Sequence, residues 1–404
     1  MMLLNIIFNL FFVSVVWAQS CPTTNLLTEP NSPFNKIPVY NQDGSGTCYA
    51  FTASQLANYY LMKEKNYKDL EYHPLWAALT YAQDNKSDSV VGGVADGALE
   101  ALANSKNCSY QSVTKSLQRM AKDNKMTDHE ILGFIETFAS EYGKLWKKFH
   151  EEIAKESEEE KRRRKEESYY KAKIDNTYVK KPVLPHTIKS NRIYLMKTQA
   201  LESTVNIMKG YTTCSEDTLR EFSKIISPIL GAMDTKIIQK LLFTECKTPN
   251  RTNPLPQPSI YLPKKATDSD FSKMIRNHFS KTDQPLGIRY CSNFLTDPTL
   301  ESVGNNPNLP RYNDRGKSCG SHASILVGSR LKGKSCQYLL RNTWGAGYSS
   351  WTNNWSCACR NKKTGKYFEN CTKKTHPVSQ YEVSGCWIPE SKLIKNMYGA
   401  QWLE

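Results

Sequence analysis

Apolar and polar residues are distributed unevenly along the chain, and their pattern divides it into an apolar start and three further parts. Residues 19–110 mix short helical patterns with small and aromatic residues, whereas residues 111–280 are richer in charge and mostly helical in pattern. Residues 281–404 return to aromatic, glycine-rich and cysteine-rich sequence with short apolar runs that are typical of strands. The pattern therefore predicts an α+β protein with a helical lobe, an inserted charged helical subdomain and a β-rich lobe.

Three helices are predicted in the first of these parts. In the segment Thr47–Lys65 the apolar residues cluster toward one face, and no proline interrupts the pattern. A second helix is predicted at Leu75–Tyr81, directly after the dipeptide His73-Pro74, and a third at Asp96–Ala103. The first helix would begin near Cys48, where the positive end of the helix dipole stabilises a thiolate.

Four strands are predicted in the last part, each from a short run of apolar and aromatic residues bounded by turn-forming sequence. They are Leu286–Tyr290, Ala323–Val327, Gln337–Leu340 and Cys386–Ile388. The third of these strands ends two positions before Asn342.

The middle part is dominated by charge. In Lys144–Lys173, acidic residues stand three to four positions before basic ones, a pattern that supports an exposed helix through ion pairs. The whole chain has a formal net charge of +15, so an anionic surface is a candidate partner of this basic insertion. No nucleic-acid-binding motif occurs in the sequence, and nucleic acid is not expected as a partner.

The apolar start is typical of an export signal. Residues 2–18 are almost wholly apolar, end in the small residue Ala18 and are followed at once by polar sequence. This run is short for a membrane span, so residues 1–18 are predicted to be a signal peptide and the protein to be secreted or periplasmic. A minor alternative is a lipid anchor attached to Cys21, although the three residues before that cysteine fit such a site poorly.

The chain contains twelve cysteines, and in an exported protein such a number indicates disulfides. The cluster Cys357, Cys359, Cys371 and Cys386 could instead hold zinc, with His376 as the nearby histidine. The short spacing of the first two favours disulfides, so no metal site is predicted, and the connectivity stays open at this point.

Four polar residues form the strongest functional pattern of the chain. Cys48 is a candidate nucleophile, and a histidine such as His322 can take its proton, which predicts a pair of Cys48 thiolate and His322 imidazolium. The side-chain oxygen of Asn342 can hold the other ring nitrogen of that histidine and fix its tautomer. The side-chain NH₂ of Gln42 and the backbone N–H of the nucleophile can stabilise the oxyanion of a tetrahedral intermediate.

The order and surroundings of these residues resemble those of the papain-like cysteine peptidases. Residues 48–51 read Cys-Tyr-Ala-Phe, similar to the start of that family's nucleophile helix, and residues 342–345 read Asn-Thr-Trp-Gly, similar to its Asn-Ser-Trp-Gly. By this resemblance, Trp344 shelters the bond between asparagine and histidine from water. Gly92 and Gly93 resemble the paired glycines whose backbone holds an extended substrate.

The resemblance implies a two-lobe fold, in which a helical lobe with Cys48 faces an antiparallel β-barrel-like lobe with His322 and Asn342. It also implies hydrolysis of a peptide or protein substrate through an acyl-enzyme, without a cofactor. Three features depart from the family: Ser45 and Val90 stand where a bridging cysteine pair is usual, no N-terminal propeptide is expected before the catalytic region, and the stretch between Cys48 and His322 is about twice the usual length. We interpret the extra length as the insertion at 111–280, a candidate for covering the cleft or selecting substrates.

Two alternatives remain open from the sequence. One is another acyl transfer at the same site, such as amidase or transpeptidase chemistry, because a thioester does not dictate its acceptor. The other is a non-catalytic binding protein with a peptidase fold, whose cleft is covered by the insertion.

Overall fold

The computed structural model describes residues 21–42, 46–86, 92–105, 108–120, 255–263, 266–297, 320–351 and 355–404. The predicted signal peptide, the charged helix Lys144–Lys173 and most of the predicted insertion lie outside the described residues.

Four helices lie in the N-terminal part of the described chain: α1 (Cys48–Glu64), α2 (Pro74–Asp84), α3 (Ala95–Asn104) and α4 (Tyr110–Met120). The first three confirm the helices predicted from the sequence. His73 caps α2 by accepting a hydrogen bond from the backbone N–H of Leu75, and Pro74 at the first position has no N–H to satisfy.

Three more helices lie in the C-terminal part: α5 (Asp268–Lys281), α6 (Asn293–Thr296) and α7 (Glu390–Asn396). A capping box between Thr267 and Asp270 starts α5. Arg276 of α5 and Glu390 of α7 form an ion pair at 2.6 Å, which holds these two helices together.

Among the described residues, nine antiparallel strands form one sheet in the order β2-β9-β3-β4-β5-β8-β6-β7, with β1 paired to β4. The strands are β1 (Thr24–Asn25), β2 (Ser259–Tyr261), β3 (Leu286–Cys291), β4 (Ser321–Lys332), β5 (Ser335–Arg341), β6 (Ser356–Asn361), β7 (Tyr367–Cys371), β8 (Tyr381–Pro389) and β9 (Met397–Trp402). The helices and this antiparallel sheet confirm the predicted α+β class.

Side chains on β4 alternate between two hydrophobic cores. Ala323, Ile325 and Val327 belong to the core that the sheet shares with α1, α2 and α3, whereas Leu326 belongs to the core between the sheet and α5 and α7. Successive side chains of a strand point to opposite faces. His322 therefore shares the face of Leu326, at the start of the strand where α1 meets the sheet.

Two arginines, the buried Arg341 and the partly buried Arg289, join the sheet to the helical layer. The guanidinium of Arg341 at the end of β5 donates hydrogen bonds to Gln55 of α1 at 3.1 Å and to the carbonyl oxygen of Ile37 at 2.8 Å. Arg289 of β3 pairs with Asp96 in the first turn of α3. These contacts hold the middle of α1 and the N-terminal end of α3 at the sheet.

All four predicted strands lie within observed strands, but the sheet is larger than predicted. The sequence pattern assigns residues up to 280 to the insertion, whereas β2 pairs with β9, and α5 packs against the sheet through Phe271, Ile275 and Phe279. The outer face of α5 is charged, which explains why its composition resembles that of the preceding segment. Strands β1, β2, β6, β7 and β9 were not predicted.

The first described residues are held to the sheet by strand pairing and by a disulfide. Thr24 of β1 pairs with Ser329 of β4, and Cys21 forms a disulfide with Cys336 of β5. The lipid-anchor alternative is therefore wrong for this structure, because a lipid thioether would need the sulfur that Cys21 shares with Cys336. The disulfides indicate an extracytoplasmic environment. No helix among the described residues has the length and apolar character that a membrane crossing requires.

Candidate active site

Cys48 is the first residue of α1 and the free cysteine of the described chain. Burial raises the pKa of its thiol, and the nearby backbone N–H groups of Ala323 and Tyr49 oppose that shift. Since Ala323 directly follows His322 in β4, the sulfur lies against the strand that carries the candidate base. The N-terminal end of α1 adds favourable electrostatics for a thiolate at this position.

His322 and Asn342 form the hydrogen bond that their sequence pattern predicted. The Nε2 atom of His322 lies 2.7 Å from the Oδ1 atom of Asn342, and both side chains are buried. The backbone N–H of Thr343 donates to the same Oδ1 atom at 2.8 Å. Because an amide oxygen only accepts hydrogen bonds, Nε2 must be the protonated nitrogen, and Nδ1 is then the nitrogen that can accept a proton.

The site favours uncharged forms of both groups before any substrate is bound. Burial lowers the pKa of His322 to about 4, and the hydrogen bond to Asn342 opposes that shift. Burial also favours the neutral form of Cys48, because it raises the pKa of the thiol. Charge at this site is therefore expected to develop during reaction, where the N–H groups around the sulfur can stabilise it.

Gln42 lies beside the histidine and asparagine pair. Its side-chain Oε1 atom accepts a hydrogen bond from the hydroxyl of Thr343, and its backbone N–H donates to the carbonyl oxygen of Thr343 at 2.7 Å. The amide of Gln42 is thus oriented by the residue that follows Asn342. With Oε1 held in this way, the NH₂ group is the end of the side chain that can donate to an oxyanion.

Trp344 covers the bond between His322 and Asn342. Its ring centroid lies 4.6 Å from that of His322, with the two planes tilted by 33°. The chain then turns at Gly345, whose φ of 85° favours glycine and whose N–H donates to the carbonyl oxygen of Tyr40. The indole of Trp344 thus packs against the imidazole that Asn342 holds.

Gly92 and Gly93 are exposed and lie close to the start of α1. The N–H of Gly92 donates to the carbonyl oxygen of Gly46 at 3.0 Å, and Gly92 has a φ of 76°. A Cβ atom at Gly93 would lie 2.7 Å from ring atoms of Tyr49 and Tyr81. One glycine is therefore required by its backbone conformation and the other by the close approach of two rings, and both leave backbone groups open to a ligand.

Three residues near the site were not singled out from the sequence. Ser324 donates a hydrogen bond to Asn342 at 3.0 Å, and the hydroxyl of Tyr290 lies 2.9 Å from that of Ser324. Arg341 anchors the strand end that carries Asn342. Ser324 could have been noticed in the sequence because it is a polar residue inside an otherwise apolar strand. Its hydrogen-bond partners, however, are evident only from the fold.

The cysteine cluster forms disulfides. Cys357 is bonded to Cys386 and Cys359 to Cys371, which confirms the disulfide prediction and leaves the zinc alternative without free sulfur ligands. His376 offers a ring nitrogen within 4.8 Å of two of these sulfurs.

No protein-family model matches this chain, and a search of curated proteins finds no significant match.

Proposed function

We propose that this protein is an exported cysteine peptidase with a papain-like two-lobe fold, and that it hydrolyses peptide bonds through Cys48 and His322. One observation carries the proposal. The sulfur of Cys48 interacts with the backbone N–H of Ala323, while the preceding residue, His322, is bonded through Nε2 to Asn342. A thiol at a helix start, a histidine one residue before its strand contact and an amide that fixes this histidine are the parts needed for attack on an acyl group.

The reaction begins when an extended peptide pairs with the exposed backbone at Gly92 and Gly93. Nδ1 of His322 takes the thiol proton of Cys48 as the sulfur attacks the substrate carbonyl carbon. A carbon–sulfur bond forms, and the carbonyl electrons move to oxygen. The oxyanion is stabilised by the NH₂ group of Gln42 and the backbone N–H of Cys48.

The intermediate then collapses to a thioester. The carbon–nitrogen bond breaks, and the leaving amine receives the proton that His322 holds. Water attacks the thioester, His322 takes one of its protons, and the sulfur of Cys48 leaves with that proton restored. Asn342 keeps the imidazole in the required tautomer throughout, and Trp344 excludes water from their bond.

A peptide-library digest with matched variants tests this proposal. Cys48→Ala should abolish cleavage, and His322→Gln should reduce kcat/KM by about 10³-fold or more. His278→Gln is the matched control, because His278 is also buried and hydrogen-bonded, at 2.8 Å from the carbonyl oxygen of Gln284, but lies on α5. The control should retain cleavage if it folds, which circular dichroism verifies.

Alkylation of Cys48 by iodoacetamide separates the remaining explanations. Labelling that is fast and depends on His322 supports the peptidase. Labelling at the rate of a free thiol, together with no cleavage of any library member, would indicate the non-catalytic binding protein instead. Cleavage products in which the acyl group is joined to an added amine would indicate transfer in place of hydrolysis.

Export is part of the same proposal. The disulfides support an extracytoplasmic location, and the apolar segment 1–18 is proposed as the signal that directs the chain there. The basic charge of the chain keeps an anionic surface as a proposed partner. Removal of residues 1–18 should retain the protein inside an expressing cell, as fractionation and immunoblotting would show.

A further inference from the structure

Two buried hydroxyl groups lie behind the bond between His322 and Asn342. Tyr290 of β3 and Ser324 of β4 are both fully buried, and their oxygens are 2.9 Å apart. Ser324 donates to Oδ1 of Asn342 at 3.0 Å. Tyr290 also stands opposite His322 in the strand register, and their rings meet edge to face at 5.6 Å. The four side chains form one connected group inside the sheet.

The Oδ1 atom of Asn342 receives three donors in this group. They are Nε2 of His322 at 2.7 Å, the hydroxyl of Ser324 at 3.0 Å and the backbone N–H of Thr343 at 2.8 Å. The Nδ2 atom of Asn342 is buried, and among the described residues it has no hydrogen-bond partner. A buried NH₂ group without a partner costs about 1–3 kcal/mol, so the observed amide orientation is opposed by its own nitrogen.

Turning this amide by half a rotation would exchange oxygen and nitrogen, which have nearly the same shape. The NH₂ group would then find acceptors, but it would also face the N–H of Thr343, which cannot accept. The backbone N–H of Thr343 therefore opposes the turn through one hydrogen bond that would be lost. The hydroxyl of Ser324 opposes the turn through a second hydrogen bond, provided that its single proton is directed toward Asn342 and not toward Tyr290.

Tyr290 decides the direction of that proton. A phenol is a stronger donor than an alcohol, and Tyr290 is protonated because burial raises the pKa of its hydroxyl. When Tyr290 donates to Ser324, the proton of Ser324 has to point onward to Oδ1 of Asn342. The two hydroxyls then act in series, and each polarises the next.

We infer that Ser324 and Tyr290 are positioning residues, which hold Asn342 with its oxygen toward His322. This inference rests on the proposed function, in which Asn342 stabilises the imidazolium that forms during attack. Neither residue touches the substrate. The effect of their two hydroxyls passes through the amide of Asn342, and this makes it separable from a general effect on stability.

The test measures kinetics and the titration of His322 in the full-length protein. Ser324→Ala should lower kcat about tenfold with KM unchanged, because a turned amide presents N–H groups to the imidazolium and disfavours it. For the same reason the acidic limb of the kcat/KM profile should move to lower pH by about half a unit. Tyr290→Phe should act in the same direction with a smaller effect, and Ser324→Thr should restore both values.

Two controls make the result specific. Ser329→Ala removes another fully buried β4 hydroxyl, which donates to the carbonyl oxygen of Pro22 at 2.8 Å, and should leave the pH profile unchanged. Added to Asn342→Ala, the Ser324→Ala change should have no further effect on kcat, since its effect passes through the missing amide. An undiminished effect in that background would overturn the inference and assign Ser324 a structural role.

The pKa of His322 in Cys48→Ala protein, measured by NMR of the labelled ring, gives a readout that does not need activity. Ser324→Ala should lower that pKa if the amide turns. A rise would mean that Ser324 only competes with His322 for Oδ1, and the positioning role would be refuted. If wild type shows no cleavage while the pKa still falls, the proposed function fails and the positioning of Asn342 stands.

Discussion

Lowering the pH should destabilise the folded protein through His322. Its ring is only 5% exposed, and burial lowers its pKa to about 4 in the folded protein. In the unfolded chain a histidine has a pKa of about 6.5. Between these two values the unfolded chain binds a proton that the folded protein does not bind. The free energy of unfolding must therefore fall as the pH falls through this window.

The size of the effect follows from the pKa difference. Each pKa unit corresponds to about 1.4 kcal/mol, so the free energy of unfolding should decrease by about 3 kcal/mol between pH 7 and pH 4 on account of this one ring. Above the unfolded pKa the contribution is absent, because both states are neutral. Below the folded pKa it is constant, because both states carry the proton.

Urea unfolding at a series of pH values measures the effect, with His322→Gln as the comparison that isolates it from the other titrating groups. The variant should lose less stability than wild type between pH 7 and pH 4.

The sign of the difference refutes or supports the reasoning. If Cys48 and His322 rested as a thiolate and imidazolium pair, the imidazolium would be stabilised and the pKa of His322 would lie above its unfolded value. Stability would then be lost as the pH rises, and His322→Gln would remove a loss at alkaline pH. That outcome would show that charge is already separated before a substrate binds.

Three further predictions concern the surroundings of the site. Gly93→Ala should lower both kcat/KM and the melting temperature, because its Cβ atom would lie 2.7 Å from two tyrosine rings, and overpacking of this kind costs about 1–3 kcal/mol. Gly333→Ala is the comparison, because Gly333 is exposed at the β4–β5 turn and its substitution adds only the backbone strain of a φ of 62°. Trp344→Ala should reduce kcat about tenfold by admitting water to the imidazole hydrogen bond, whereas Trp344→Phe should retain most activity; equal rates in all three proteins would contradict the sheltering role. Replacing Cys359 and Cys371 together by serine should lower the free energy of unfolding by about 3 kcal/mol, as expected for a bridge across a sequence separation of 12, and an unchanged midpoint in urea would contradict this.

Local sequence signals were sufficient for the elements that carry Cys48 and His322. The helix at Cys48–Glu64 and the strand around Ala323–Val327 each follow from apolar runs without a breaking residue. The hydrogen bond between His322 and Asn342 could also be expected, because one antiparallel hairpin, β4–β5, carries both residues. These features depend on interactions that are close in sequence.

The parts that could not be predicted depend on contacts between distant segments. In the sequence Ser324 is an ordinary strand residue, and its contact with Tyr290 of a neighbouring strand is evident only in the folded structure. Strands β6 and β7 lack a long apolar run, since disulfides replace part of the core that would otherwise hold them. The sequence likewise does not reveal that Asp268–Lys281 packs on the sheet, because its outward face is highly charged.

The path of the chain has a consequence for biosynthesis. Cys48 emerges early from the ribosome, but the hairpin with His322 and Asn342 emerges only after most of the polypeptide has been made. The edge strand β2 and the short β1 also wait for late partners, β9 and β4. A nascent chain therefore carries the Cys48 thiol before the hairpin with His322 and Asn342 has formed. Assembly of the candidate site waits for these long-range pairs, and pairing between distant segments is slow.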